Sequence, residues 1–150
     1  MVFDALQDWS KRREGGIRYY SGSAVYKKSF TLPEGQPQPQ DRLWLDLGNI
    51  RELAEIRLNG KSLGIVWAPP FQVEITSALK PGMNELSVDV VNFWPNRIIG
   101  DASLPELERR TRTNIRKLTP ETKLMDSGLL GPVRLLREMK GTSAVLPTRR

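Results

Sequence analysis

The chain contains no histidine and no cysteine among its 150 residues. Without cysteine there is no disulfide and no thiolate nucleophile, and the redox compartment cannot be read. Without histidine, the Ser-His-Asp and Cys-His arrangements, the common zinc sites and the usual general base near neutral pH are all excluded. Catalysis would fall to Asp, Glu, Lys or Tyr. Any metal would need all-oxygen ligands, which suits calcium rather than zinc. The residues call for no cofactor, and a structural calcium is the one metal the composition leaves open. No apolar run approaches the ~20 residues that cross a bilayer, so no membrane partner is expected. The opening MVFDALQDWSKRREGG lacks a basic start followed by an apolar core and does not read as a signal peptide. An export signal, if the parent protein has one, would lie outside this chain.

What is present suits one globular domain over residues 1–150, with 39% hydrophobic and 27% charged residues. The net charge of +6 is uneven. Residues 1–50 hold 7 basic and 6 acidic groups, residues 51–100 hold 5 and 5, and residues 101–150 hold 11 and 6. Much of the excess lies in RRTRTNIRK, Arg109 to Lys117.

The centre of the chain alternates with period two, the mark of half-buried strands. SAVYKKSFTL puts Ala24, Tyr26, Phe30 and Leu32 on one parity. RLWLDLG does the same for Leu43, Leu45 and Leu47, FQVEIT for Phe71, Val73 and Ile75, and NELSVDVV for Leu86, Val88 and Val90. AEIRLNGKSLGIV holds Asn59-Gly60 between two such runs, a strong signal for a two-residue hairpin. GPVRLLRE is a plausible last strand. LPEGQPQPQD, WAPP and LKPGMNE carry turn chemistry. About seven strands and no long amphipathic helix point to an antiparallel β-sandwich. Residues 102–127 break the pattern as a polar, basic insertion, with a short helix suggested around LPELERRTR.

Three segments resemble a known family: YYSGSAVYKKSFTLP, the long run LDLGNIRELAEIRLNGKSLGIVWAPPFQVEITSALKPGMNELSVDVVNFWPNRIIGD, and SGLLGPVRLL. Together they are similar to the galactose-binding-like jelly-roll domain of large glycoside hydrolases. The resemblance is nearest to the domain of family 106 α-L-rhamnosidases and looser to the sugar-binding domain of family 2. It spans roughly Leu6 to Leu136. It implies an all-β jelly roll, work on plant cell-wall glycans (rhamnose-containing or pectic), and a secreted or periplasmic setting. It also implies a separate catalytic glycosidase domain in the parent chain, so that this chain is not an enzyme on its own.

The candidate sugar-binding residues are Trp67, Trp94, Asn96, Arg97, Asp101 and Tyr20. Aromatic faces suit the apolar face of a pyranose, and planar polar groups suit its hydroxyls. Each has a plainer reading. Trp67 and Trp94 also read as packing residues, and Tyr20 as the anchor of a strand start. Asn96, Arg97 and Asp101 in NFWPNRIIGD also read as a rigid corner in which Arg97 and Asp101 pair. Trp9 and Trp44 read as packing. Asp89, Asp101, Glu106 and Asp126 are the carboxylates available to a glycosidase pair, but their spacing forces none. Two further functions stay in view. One is an accessory domain that buttresses the catalytic domain and binds no sugar. The other is anion or nucleic-acid binding through 109–117, although the run lacks interleaved aromatics and any groove-binding motif, so nucleic acid is unlikely.

Overall fold

A computed structural model describes residues 4–32 and 41–138. The alternating runs become strands β1 (Ser23–Thr31), β2 (Arg42–Asp46), β4 (Leu53–Leu58), β5 (Lys61–Val66), β6 (Gln72–Glu74) and β7 (Met83–Val91), and the expected last strand in GPVRLLRE becomes β9 (Arg134–Glu138). Two short strands join them, β3 (Asn49–Arg51) and β8 (Gly128–Gly131), which pair with each other. The described residues thus hold nine strands where sequence periodicity expects seven. The Pro/Gln-rich stretch at 33–40 lies outside the described residues.

All paired strands run antiparallel. One sheet has the order β1-β7-β4-β5, a second the order β6-β2-β9, and β3-β8 forms a small third. The alternation decides which face goes inward. Ala54, Ile56 and Leu58 of β4 and Val88 and Val90 of β7 meet Leu43 and Leu45 of β2, with Leu47, Ile50, Phe71, Ile75 and Leu129 closing the core. Ile56, Ile50 and Leu47 are wholly buried, so truncating any one to alanine removes contacts worth about 2–5 kcal/mol. This is the sandwich expected from the pattern.

The Asn59-Gly60 hairpin forms as predicted. Leu58 pairs with Lys61, and both central residues have positive φ, 54° at Asn59 and 82° at Gly60. Asn59 does more than turn the chain. Its amide donates to the Ala78 carbonyl and to Asn84 Oδ1, both at 2.8 Å, and its Oδ1 accepts from Glu85 N at 3.0 Å. Asn84 is itself fully buried. The hairpin tip is therefore bolted to the start of β7.

Two expectations need correction. The corner at NFWPNRIIGD is an α-helix, α2 (Pro95–Ala102), after a one-turn helix α1 (Gly15–Arg18). Pro95 does not prevent it, because proline at the first helical position lacks only an N–H that has no intrahelical acceptor. The insertion holds no α-helix around LPELERRTR, only a single 3-10 turn at Glu106–Glu108.

Candidate functional site

Helix α2 organises one end of the sandwich through its polar residues. Asn96 faces the loop that returns to β8. Its amide donates to the Met125 carbonyl at 2.7 Å and to Ser127 Oγ at 3.1 Å, and its Oδ1 accepts from Met125 N at 2.8 Å. One turn on, Asp101 Oδ2 accepts from Arg110 N (3.0 Å), Thr111 N (2.8 Å) and Thr111 Oγ1 (2.7 Å), while Oδ1 pairs with Arg97 Nη2 at 3.0 Å. Arg97 also lies over the Tyr19 ring. Gly100 lets that ring approach, since a Cβ there would stand 2.5 Å from Tyr19 Cγ. Asn92 ties Gly22 N and the Tyr20 carbonyl to the end of β7. Asp8 Oδ1 accepts from Ser10 and from Ser127 N, and its Oδ2 pairs with Lys11 at 3.1 Å.

These buried carboxylates stay ionised. Burial pushes the Asp101 carboxyl up, but the bonds from Thr111, the charge of Arg97 and the bond from Arg110 outweigh it and hold the pKa below the usual value. Burial likewise pushes Asp8 up, and the bonds from Ser10, Ser127 and Lys11 bring its net shift down.

This geometry sorts the six candidate residues. Asn96 (1% exposed) and Asp101 (2% exposed) are corner residues with almost no surface for a ligand, and Arg97 is largely buried in its pair with Asp101. Tyr20 is partly exposed, but its hydroxyl donates to the Ser23 carbonyl and its ring meets Trp9 edge-on, so it anchors the entry to β1. Trp9 is buried, with Nε1 donating to the Tyr26 hydroxyl at 2.6 Å. Trp67 and Trp94 point outward, 75% and 51% exposed.

Strand register places these two tryptophans at the same end of one sheet. Trp67 follows β5, whose Val66 pairs with Ala54, and Ala54 pairs with Val90 of β7. Trp94 follows β7 by three residues. With β4 between them, the two exits are separated by two strand spacings, roughly 10 Å. Phe93, 53% exposed, adds a third aromatic to this rim. Sequence reasoning passed over Phe93, although continuing the β7 alternation from buried Val88, Val90 and Asn92 turns it outward.

The remaining carboxylates are engaged by neighbouring side chains or exposed. Asp89 accepts from Ser23 Oγ, and its cross-strand neighbour Glu55 pairs with Arg57 at 2.7 Å. They line a shallow groove on the outer face of the four-stranded sheet with Val25, Lys27 and Ser87. Glu106 and Asp126 are exposed in the insertion. Among the described residues no group of three or more acidic side chains is gathered that could hold a metal ion.

Known proteins contain a segment similar to this chain in sequence and fold. A family model described as glycosyl hydrolase 2 galactose-binding domain-like matches residues 10–120. A protein named "Putative beta-glucuronidase" from Formosa agariphila is 38% identical, and the match covers 89% of this chain but 13% of that protein. The structure of a rhamnosidase from Novosphingobium sp. PP1Y superposes with a TM-score of 0.83 at 35% identity, over 91% of this chain and 13% of that one. The chain thus spans about an eighth of the length of these relatives. With its antiparallel sandwich and the family match across most of its length, the chain belongs to the glycosyl hydrolase 2 galactose-binding domain-like family and is, by itself, an accessory domain rather than a catalytic one.

Proposed function

We propose that the chain is a carbohydrate-binding domain that works beside a catalytic glycosidase domain of a parent enzyme and holds a plant cell-wall glycan at the aromatic rim. The observation that carries this reading is the outward exposure of Trp67, Phe93 and Trp94 at one end of the four-stranded sheet. Trp67 is the principal platform and Trp94 the second. Each offers a large, rigid apolar face with few rotors to immobilise, which suits stacking against a sugar ring. The polar hub around Asn96, Arg97 and Asp101 sets α2, and with it Trp94, in a fixed position. It supports the rim without touching the ligand. The rhamnosidase likeness supports a rhamnose-containing polymer as ligand and a secreted or periplasmic setting, where polymeric glycans are met.

A second reading has its own support. The relatives are about eightfold longer, so the same aromatic end could rest against the catalytic domain and bind no sugar. A screen of the purified chain against neutral and acidic plant glycans separates the two. Selective binding by at least one glycan supports the first reading, and binding to none transfers the rim to the interdomain contact.

A further inference from the structure

The rim leaves the most charged stretch of the chain without a role. Segment 109–117 carries Arg109, Arg110, Arg112, Arg116 and Lys117, all exposed, and no acidic residue occurs between 109 and 120. Among the described residues none of the five has a carboxylate within 4.0 Å. A run of unpaired cations usually lies loose in solvent, but this one is fastened. Asp101 Oδ2 accepts from the backbone N–H groups of Arg110 and Thr111 and from the Thr111 hydroxyl, and Asn96 holds the returning chain at Met125. Both anchors sit on α2, the helix whose N-terminal end presents Trp94. Eight residues of helix measure about 12 Å, so the strap starts within a few sugar lengths of the rim.

The chemistry of the strap narrows its ligand. Four of the five cations are arginine, whose planar fork matches a carboxylate. The segment contains no aromatic to stack nucleobases and no helix or strand to enter a groove, which disfavours nucleic acid. Leu107 and Ile115 are exposed singly, as is ordinary on a protein surface, and do not make an apolar docking patch.

We propose that segment 109–117 is a subsite for the carboxylates of a linear, uronate-bearing glycan, continuing the path that begins at the aromatic rim. The proposal rests on the rim reading and can fail separately from it. The test is calorimetry of the chain with polygalacturonate and with a neutral galactan, at 50 and 200 mM salt. The triple variant Arg110→Gln/Arg112→Gln/Arg116→Gln, altered only at exposed side chains, is measured alongside Trp67→Ala. The expected result is at least about tenfold preference for the carboxylated polymer at 50 mM salt, lost at 200 mM and lost in the triple variant, because binding by exposed cations is screened. Neutral galactan binding should be untouched by the arginine changes. Retention of the preference in the triple variant overturns the subsite. So does equal affinity for polyglutamate or an oligonucleotide of matched charge, which would mark an unselective polyanion surface. Acidic binding that survives Trp67→Ala unchanged, with no neutral binding in any form, would remove the rim and leave the strap.

Discussion

At the scale of single residues, buried polar groups rather than apolar ones set the candidate site. Asp101 shows the logic. Its carboxylate is removed from water and meets three donors and a guanidinium, so its charged form is favoured in the folded chain despite burial. Asp101→Asn keeps the shape, removes the ion pair and weakens the bonds to 110 and 111. It should cost about 2 kcal/mol or more in urea unfolding, since Arg97 loses its counter-charge in a largely buried place. The pH dependence has a definite sign. A carboxyl whose folded pKa lies below its unfolded value contributes stability above the unfolded value, near 4, and loses it as pH falls through the folded value. Asp8 and Asp101 both belong to this class. Stability should be flat from pH 7 to about 5 and fall below about 4. The fall should be shallower in Asp101→Asn, and a fall equal to that of the parent chain would mean that Asp101 does not contribute. Sequence reasoning reached the Arg97–Asp101 pair from their spacing. The bonds from Asp101 to Thr111 and from Asn96 to Met125 were not legible, because they close over loops whose path no local pattern fixes.

At the scale of elements, period-two alternation identified β1, β2, β4 and β7 and the three-residue β6 inside FQVEIT, the Asn59-Gly60 signal added β5, and the apolar run GPVRLLRE added β9. It missed β3 and β8, which have three and four residues and are too short to show a period. β8 also begins and ends in glycine. It missed α2 as well. Eight residues with proline at the start and glycine inside carry weak helical propensity, and the fully buried Asn96 and Asp101 blur the apolar stripe. The Asn59-Gly60 hairpin was the clearest local signal, and it offers a direct check. Gly60→Val places a β-branched residue at φ 82° with open space around its Cβ, so backbone strain alone should destabilise the chain by about 1 kcal/mol or more. Chemical denaturation measures this. No change in midpoint would mean that the turn relaxes to another type at no cost.

At the scale of the whole molecule, the chain is a scaffold that carries two tryptophans and a phenylalanine at one end and an arginine strap pinned to the same helix. The chain is a galactose-binding-like accessory domain that spans 13% of the relatives it matches, so the purified chain should not turn over an aryl rhamnoside or glucuronide. Turnover abolished by a single Asp or Glu substitution would contradict its accessory role. The place of Trp67 in the loop VWAPPF and of Trp94 at the end of a strand was enough to nominate both as sugar platforms. That both leave from the same sheet end came only with the β5-β4-β7 order, since strand order is a tertiary fact. One stacked ring with a few hydroxyl hydrogen bonds leaves little surplus after the cost of association, so affinities should lie in the roughly micromolar-to-millimolar range. The most direct test is calorimetry of the parent chain and of Trp67→Ala against the best neutral glycan from the screen, at 200 mM salt where charge contributes least. The account predicts measurable binding by the parent chain and a loss of about tenfold or more in Trp67→Ala with unfolding stability unchanged. Equal affinity in the two proteins would contradict it.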